Sequence, residues 1–544
     1  MRHYLKHHFI YQLRKSADAK TRLEALRVCS KLYINNPVVL KEYHDTLLFL
    51  CAYPESIKLR ELALSELGRL AQIVKQQDGF RWQHTLSGSG LPYTELRCQY
   101  SRTLSAWLLK QFPGQVYPAE SAADADTVKQ IFQSLLPSIE FERSTHGDLN
   151  TWNRIKLLSG NYFDPPALKW LLELIEQKEL PVLIKDQLYD NLKIYLGWKL
   201  NENSFNRSFI SLPVKHIFCQ TVSRRKINSC RLINKPISKP ISLSGNERKN
   251  ILGIARAALA FYYRETDPFT YASGNEVEAF EMGKGLTIAL FGMEKERRLS
   301  LDSYIGFMAF KNGIPVSYGG GWLFGHRCKI GVNIYPSFRG GDSAWLFCQV
   351  LRLYYQHYNV HRFVVKPYQF GKGNPEGLKS GAFWFYYKIG FRPVNESIRA
   401  IAAEEWRKLQ SDKSYRTAVS VLKSFTACNK EWVVHKKSIA DPPARDLSIL
   451  ITNTIRQQFG GDREKAIKAG SRALKSILKP ANISELTTIR EAWENWSLLF
   501  ITHSLTKKWT ETNRRQWLHL LQLKSRGKER DFVLAWQNFK GLNP

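Results

Sequence analysis

The sequence predicts an α+β protein in which a central mixed α/β domain lies between mainly helical N- and C-terminal regions. Apolar residues recur at spacings of three and four from Ala19 to Val74 and again after Asn395, which is typical of amphipathic helices. Between Tyr304 and Val394 the pattern changes to short apolar runs that alternate with a helical pattern, as in an α/β layer. With 544 residues the chain is long enough for several domains at roughly 150 residues each.

Changes in composition divide the chain into four predicted segments. These are a mainly helical region at residues 1–220, a basic linker at 221–243, a mixed α/β domain at 244–398 and a basic helical region at 399–544. The linker is assigned because Lys235-Pro236 and Lys239-Pro240 stiffen a basic and polar stretch, which is typical of an exposed connection. Residues 401–544 carry 26 basic against 14 acidic side chains, so we expect the main electrostatic contact surface there.

The net charge of +32 favours polyanionic partners such as nucleic acid or an anionic membrane face. The basic residues are nevertheless spread over all segments, with only short clusters at Arg224–Lys226 and Lys524–Arg530. A scattered excess of this kind is typical of a solvated surface. Nucleic acid is therefore an alternative partner and not the leading one.

Cysteine spacing and the N-terminal residues limit the compartment. The eight cysteines lie far apart and include no C-x-x-C pair, so we expect neither a metal site nor a disulfide framework. Residues Met1–His8 lack the apolar core of a signal peptide, and no run approaches the roughly 18 apolar residues of a membrane span. We therefore expect a cytoplasmic protein without a membrane partner. The pattern does not determine an oligomeric state.

Caps and turns set the predicted boundaries in the central domain. Ser244 and Glu247 have the spacing of a capping box and start a helix. Two strands, Tyr304–Phe310 and Ile314–Tyr318, flank the tight hairpin turn Lys311–Gly313. Two further strands, separated by a helix, are predicted at Lys329–Tyr335 and Arg362–Val365.

A glycine-containing turn, Phe338-Arg339-Gly340-Gly341-Asp342-Ser343, lies between a predicted strand and a predicted helix. Glycines let the backbone turn without a Cβ, while the free N–H groups and the dipole of the helix start favour an anion. The turn therefore suits a phosphate or pyrophosphate group. The alternative is an ordinary strand-to-helix turn that Asp342 or Ser343 caps.

A second helix is predicted from Asn374, its cap, to Gly390, with Pro375 at the first helical position. The aromatic run around Tyr386 is by itself typical of core packing. The residues expected on one face of this helix are Leu378, Ala382, Phe385, Tyr386 and Ile389.

Together the strand, the R-G-G turn, the helix, the next strand and a helix that ends Y-x-K-x-G-F resemble the GNAT superfamily of acyl-CoA-dependent N-acyltransferases, over about Ser244 to Val394. The resemblance implies a GNAT-like domain with acetyl-CoA or another acyl-CoA as cofactor and an unidentified amine as substrate. In that family the tyrosine of the closing helix, here Tyr386, protonates the departing thiolate. The resemblance also assigns pantetheine binding to Asn333, Ile334 and Tyr335, and pyrophosphate binding to Arg339, Gly340, Gly341, Asp342, Ser343 and Ala344.

Two positions differ from the family pattern. The family turn reads R/Q-x-x-G-x-G/A, and Asp342 stands at its inner glycine position, where it places a negative charge near the expected pyrophosphate. The family's Asn-x-x-Ala before the tyrosine is here Lys379-Ser380-Gly381-Ala382. Lys379 is counted with the cofactor-binding residues because a nearby cation offsets the charge of Asp342. The alternative interpretation is that Asp342 and Lys379 together indicate a fold that has lost its usual cofactor.

Two functions stay open on the sequence alone. The first is N-acyl transfer from acyl-CoA to an amine. The second is a catalytically degenerate GNAT-like scaffold whose helical flanks bind nucleic acid or a protein partner. No general base is evident for the first function, since the candidates in the domain are more typical of surface or capping positions. These candidates are Asp302, His326, His361 and Glu376.

Overall fold

The computed structural model describes residues 3–15, 18–77, 79–142, 149–160, 163–220, 227–434, 443–478, 489–502 and 509–539. None of the described helices combines the length and the apolar character that crossing a membrane requires. The helices are α1 (His7–Lys15), α2 (Ala19–Ser30), α3 (Pro37–Ala52), α4 (Ile57–Lys75), α5 (Phe80–Leu86), α6 (Arg102–Gln111), α7 (Ala125–Leu135), α8 (Ser138–Phe141), α9 (Thr151–Ser159), α10 (Asp164–Gln177), α11 (Val182–Asn191), α12 (Ser229–Ile233), α13 (Gly245–Ala260), α14 (Asp267–Thr270), α15 (Ser343–His357), α16 (Pro375–Lys379), α17 (Ala382–Ile389), α18 (Glu396–Ser411), α19 (Val419–Ser424), α20 (Ala444–Phe459), α21 (Arg463–Leu478), α22 (Arg490–Ile501), α23 (Glu511–Arg526) and α24 (Glu529–Asn538).

The described strands form two sheets. One is a three-stranded sheet in the order β1-β3-β2, and the other an eight-stranded sheet in the order β10-β11-β9-β8-β7-β6-β5-β4. The mixed α and β composition that the sequence predicts is confirmed. The strands are β1 (Glu95–Gln99), β2 (Val116–Ser121), β3 (Ile194–Lys199), β4 (Ala272–Gly283), β5 (Leu286–Met293), β6 (Ser303–Lys311), β7 (Ile314–Phe324), β8 (Arg327–Ile334), β9 (Arg362–Val365), β10 (Arg392–Pro393) and β11 (Lys430–Val433).

The small sheet adds to the sequence analysis, which predicts a mainly helical region at residues 1–220 and assigns no strand there. Its central strand β3 buries Ile194, Leu196 and Trp198 on one face. The strand follows α11 directly, so the helical pattern and the strand pattern run together in the sequence. Lys193, with a φ of 46°, separates them because this left-handed conformation ends the helix.

The large sheet carries the central domain. Its described neighbouring strands pair antiparallel except β8 and β9, which are parallel. The predicted hairpin turn is confirmed, with φ of 48° at Asn312 and 86° at Gly313. The capping box that starts α13 is confirmed as well. On one face of the sheet α15 packs through Tyr354, whose hydroxyl donates to the Ile305 carbonyl at 2.7 Å and whose ring lies against Gly321.

The helix predicted from Asn374 to Gly390 is wrong as a single helix. Asn374 caps α16 as expected, but α16 ends at Lys379 and α17 begins at Ala382. Between them Gly381 has a φ of 64°, a left-handed conformation that interrupts the helical backbone. The sequence pattern does not reveal this break because apolar spacing continues across it.

The C-terminal region contributes to the central sheet. Strand β11 lies within the segment predicted to be helical and pairs with both β9 and β10. Further along the chain, the buried carboxylate of Glu529 lies 3.4 Å from the Lys524 ammonium and 3.6 Å from Nε of Arg298. These contacts tie α23 and α24 to the segment that connects β5 and β6.

The predicted linker is only partly described, since residues 221–226, with the Arg224–Lys226 cluster, lie outside the described ranges. Residues 227–243 are mostly exposed and run along the central domain. Arg352 on α15 donates through Nε to the Lys235 carbonyl at 2.7 Å, and Ser229 donates to the Ile389 carbonyl at 2.5 Å. The described part of the linker is therefore fixed to α15 and to the end of α17.

Candidate functional site

The parallel strands β8 and β9 separate part of the way along their length. Their register ends at the pair Lys329 and Val364, and β9 itself ends at Val365. Strand β8 continues to Ile334 without a described strand partner on that side. We call the opening between residues 330–334 of β8 and the 3₁₀ turn Pro367–Phe370 the notch. A notch of this kind leaves backbone groups of β8 available to an extended ligand.

Gln369 and Tyr386 meet at the notch. A Cβ added to Gly331 of β8 would lie 2.8 Å from Nε2 of Gln369, so only glycine lets this side chain lie so close to the strand. The Tyr386 hydroxyl donates to Oε1 of Gln369 at 3.4 Å. Burial raises the pKa of Tyr386 above its usual value, so its phenol stays protonated at neutral pH. The predicted catalytic tyrosine therefore holds its proton beside the notch.

The glycine loop, Arg339–Ala344, joins the notch to α15. The amides of Arg339 and Gly341 already donate to the carbonyls of Pro336 and Phe338, each at 3.3 Å. The other four amides, up to the first residues of α15, have no acceptor among the described residues, and Asp342 makes no capping hydrogen bond. Four unpaired amides at a helix start favour an anion. They belong to Gly340, Asp342, Ser343 and Ala344.

The N-terminal region supports the loop from behind. A Cβ on Gly341 would lie 2.7 Å from the ring carbon Cζ of Tyr53, so this ring rests directly on the loop backbone. Arg207 donates to the Ser337 hydroxyl at 3.0 Å and is also ion-paired with Asp45 of α3. These contacts hold the turn before the loop in one place.

The negative charge of Asp342 acts on the Lys311 ammonium. The Asp342 carboxylate accepts from Nε2 of Gln220 at 3.4 Å and raises the pKa of the Lys311 ammonium. Burial outweighs that effect and lowers the pKa of Lys311 to about 8. Lys379 is exposed at the end of α16 and forms no described ion pair with Asp342. Lys311 is therefore a further candidate for the charge compensation of Asp342 that the sequence assigns to Lys379.

Arg339 is ion-paired with Glu376 across the space between the glycine loop and α16. Both side chains are more than half exposed, at 55% and 65%. Such a pair contributes little to stability and exchanges readily for another anion. Arg339 is thus within reach of a ligand on the loop, but Glu376 competes for it.

The three residues assigned to pantetheine binding differ in whether their backbone and side-chain groups are already engaged within the protein. The Tyr335 amide already donates to the Val316 carbonyl at 3.1 Å, and the buried Tyr335 ring stacks on Tyr262 with ring centroids 4.4 Å apart. The Asn333 carbonyl accepts from the Ser317 hydroxyl at 2.8 Å. Asn333 is exposed and Ile334 half-buried at the notch. The expectation of pantetheine binding therefore rests on Asn333 and Ile334.

The candidate general bases have other partners. Asp302 is paired with Lys329 at 2.9 Å, and Glu376 is paired with Arg339. The rings of His326 and His361 stack with centroids 4.4 Å apart. These contacts agree with structural roles for all four.

Sequence reasoning missed three residues that shape this site. Gln369 follows the predicted strand Arg362–Val365 closely, and a polar side chain just after a strand is a signal that points to it. Lys311 lies in the predicted hairpin turn, where a charged residue is unremarkable. Tyr53 has no signal at all, because its contact with the loop joins distant parts of the chain.

Comparison with known proteins adds no relative, since no family model, no curated protein and no solved structure matches this chain.

Proposed function

We propose that this protein transfers an acyl group from acyl-CoA to an amine. The observation that carries the proposal is the set of unpaired amides at Gly340, Asp342, Ser343 and Ala344, placed next to the notch. An acyl-CoA has a pyrophosphate that suits such amides and an extended arm that suits an unpaired strand edge.

In the proposed reaction, the β8 backbone and Tyr386 each have one role. The neutral amine attacks the thioester carbonyl carbon, a C–N bond forms, and the charge on the carbonyl oxygen develops beside the β8 backbone at Asn333 and Ile334. Collapse of this intermediate breaks the C–S bond, and the Tyr386 hydroxyl gives its proton to the leaving thiolate. The proton lost by the amine passes to water and returns to Tyr386. The products are an amide and free CoA.

Asp342 does not prevent anion binding in this proposal. Its carboxylate is held by Gln220 and lies near the Lys311 ammonium, so the local charge is partly balanced within the protein. With a pKa of about 8, Lys311 is already mostly charged at neutral pH, and an arriving phosphate would raise this pKa and favour the charged form more strongly. Arg339 adds a second cation once it leaves Glu376.

Calorimetric titration of the full chain with acetyl-CoA tests the proposal. We expect saturable binding, followed by transfer to amines in a thiol-release assay. Absence of binding heat at millimolar acetyl-CoA and at a longer acyl-CoA would contradict it. We expect the charge-reversal variant Lys311→Glu to lose this binding, because its carboxylate repels the same phosphate.

A scaffold that binds nucleic acid is the second candidate, and one surface favours it. Four exposed cations lie three and four residues apart along α21, which places them on one helix face. Phosphate contacts make log affinity fall linearly with log salt. A steep salt slope for RNA or DNA that the fourfold alanine variant removes supports this candidate, and no binding at low salt excludes it. The four residues are Lys465, Lys468, Arg472 and Lys475.

A further inference from the structure

A groove of about 780 Å³ lies along the β4–β5 hairpin. One wall is formed by residues 212–218, a second wall by the linker residues 241 and 243 and the start of α13, and the floor by β4 and β5. None of the described residues that line the groove belongs to the notch or to the glycine loop. Its volume lies within the range of about 300–1,000 Å³ that is typical of small-molecule sites. The groove is therefore large enough to hold a ligand of its own.

The first wall, residues 212–218, is an arch that is fixed at both ends to the β6–β7 hairpin turn. The Leu212 amide donates to the Gly313 carbonyl at 2.8 Å. At the other end the Phe218 amide donates to Oδ1 of Asn312 at 2.8 Å, and Nδ2 of Asn312 donates to the Phe218 carbonyl at 3.0 Å. The arch is thus a built wall of the groove.

The second wall is fixed to the floor in the same manner. The Ile241 amide of the linker donates to the Ala279 carbonyl of β4 at 2.7 Å, and the Ser238 hydroxyl donates to the Glu281 carbonyl at 3.0 Å. Ala279 and Gly283 both line the groove, and four residue steps of a strand cover about 13 Å. The groove therefore suits an elongated ligand.

Aliphatic side chains line the groove on both walls and on the floor. Val214 and Ile241 are each 38% exposed to solvent, although both are apolar. An alkyl chain in the groove removes such surface from water, which is favourable roughly in proportion to the apolar area buried. The aliphatic lining includes Val214, Ile217, Ile241, Leu243 and Leu286.

The hairpin end of the groove carries two cations that are placed by direct contacts. Lys284 lines the groove at the hairpin tip, and its ammonium lies 5.3 Å from the centroid of the Trp345 ring. The Lys311 ammonium lies 5.5 Å from the same ring and 5.5 Å from the Phe218 ring, and it donates to the Lys284 carbonyl at 2.6 Å. Asp342 acts on Lys311, whereas Lys284 is exposed and forms no described ion pair.

The other charged side chains of the groove do not offer an equivalent place for an anion. Lys215 and His216 lie on the exposed part of the arch, and Glu281 is exposed on the floor strand. At the α13 end Glu247 accepts from the Ser244 amide at 2.7 Å as part of the capping box. An anion is therefore favoured at the Lys284 end, and the carboxylate of Glu247 repels it from the α13 end.

We propose that the groove binds a free fatty acid, with its carboxylate at Lys284 and its alkyl chain along β4 toward α13. Lys284 supplies the charge that selects the carboxylate, and the arch and the linker supply the apolar contact. The inference goes beyond acyl transfer and does not depend on it, since the lining residues are separate from the notch and the glycine loop.

Three probes separate the alkyl chain from the head group. Octanoate, decanoate and decan-1-ol are titrated by calorimetry into the full chain without acyl-CoA, each below the concentration at which it aggregates. We expect decanoate to bind about 15-fold more tightly than octanoate, because each buried methylene contributes about a factor of four. Decan-1-ol should bind about three- to fivefold more weakly than decanoate, since an exposed ion pair contributes no more than that.

Two variants test the two ends of the argument. Lys284→Gln should abolish the preference for decanoate over decan-1-ol, whereas Lys295→Gln, at an exposed lysine outside the groove, should keep it. Val214→Asp should weaken decanoate at least tenfold because it places a carboxylate against the alkyl chain. Val419→Asp is its control, since Val419 is 59% exposed and does not line the groove.

Equal affinity for octanoate and decanoate overturns the inference, as does a carboxylate preference that survives in Lys284→Gln. Binding to vesicles of an anionic phospholipid without binding of decanoate shows a membrane surface instead of a fatty-acid site and overturns it as well. The acetyl-CoA titration is a separate experiment, so a failure of the acyltransferase proposal is distinguished from a failure of this one.

Discussion

The Tyr386 hydroxyl donates to Oε1 of Gln369 at 3.4 Å, and this long hydrogen bond joins α17 to the notch between β8 and β9. A bond of that length is weak and easily exchanged for a stronger acceptor. In the proposed reaction, a thiolate formed in the notch would be such an acceptor. The contact would then keep the phenol in position at little energetic cost until the proposed ligand binds.

Replacing Tyr386 with Phe removes the proton donor and little else. We expect kcat for acyl transfer to fall about 100-fold, because general acid catalysis contributes about that much. The free energy of unfolding should change little, since only a long hydrogen bond is lost. Tyr387→Phe is the control because its ring packs against Trp406 instead. A Tyr386→Phe enzyme with wild-type kcat would remove the tyrosine from the mechanism.

Gly341→Ala should displace the glycine loop. The added Cβ would meet the Tyr53 ring at 2.7 Å, so the ring or the loop must move. We expect affinity for acetyl-CoA to fall about tenfold by calorimetry. Tyr53→Leu in the same chain should restore part of the loss. Gly274→Ala is the control, since a Cβ there meets open space. An unchanged affinity in Gly341→Ala argues against an ordered loop as the binding site.

Glu376→Gln should release Arg339 for the ligand. The pair is exposed, so its loss should raise affinity for acetyl-CoA only about two- to fivefold and leave stability unchanged. Glu296→Gln breaks a comparably exposed pair with Lys295 and should have no effect on affinity. Weaker acetyl-CoA binding by Glu376→Gln would mean that the pair organises the site and does not compete with the ligand.

Stability should depend on Lys311 in alkaline solution. Folding lowers its pKa from 10.5 to about 8, with burial as the main cause, Asp342 opposing and Lys284 adding to the shift. Between these two values the unfolded chain binds more protons, so the free energy of unfolding rises with pH. The rise from this group is at most about 3 kcal/mol.

Lys311→Met should remove this rise. Urea denaturation of both chains at several pH values between the two pKa values measures it as a difference, which cancels the contribution of tyrosines. Below the folded-state pKa of about 8, we expect Lys311→Met to be more stable than the wild type. This difference in the free energy of unfolding should shrink as the pH increases. A constant difference across the window would show that Lys311 titrates normally.

The parts of the fold that the sequence predicts are those with local signals. The Ser244 cap and the turn at Gly313 depend on neighbouring residues, and both appear where expected. Strand β11 and the small N-terminal sheet are missed because their pairing partners lie far away in the chain. Short apolar strands between helices have no period long enough to distinguish them.

The candidate site likewise has one part that local sequence signals predict and another that they do not. Local glycines and a helix start predict the loop at Gly340 and Gly341, and its amides are unpaired in part. The electrostatic interaction of Asp342 with Lys311 is not predictable from the sequence, since it depends on the folding of the β6–β7 hairpin. The sequence analysis assigns the compensation of the Asp342 charge to Lys379 because Lys379 stands at the asparagine position of the GNAT pattern. A position in a sequence pattern carries no information on the distance between two side chains.

Hydrogen exchange at the loop amides tests the central claim most directly. Exposed amides without an acceptor exchange rapidly, whereas amides that bind phosphate are protected. With saturating acetyl-CoA we expect slowed exchange in the peptide that covers residues 339–346 and no change in a control peptide from α21. Unchanged exchange of the loop at millimolar acetyl-CoA would contradict the account, because the amides would then have no part in holding the carrier.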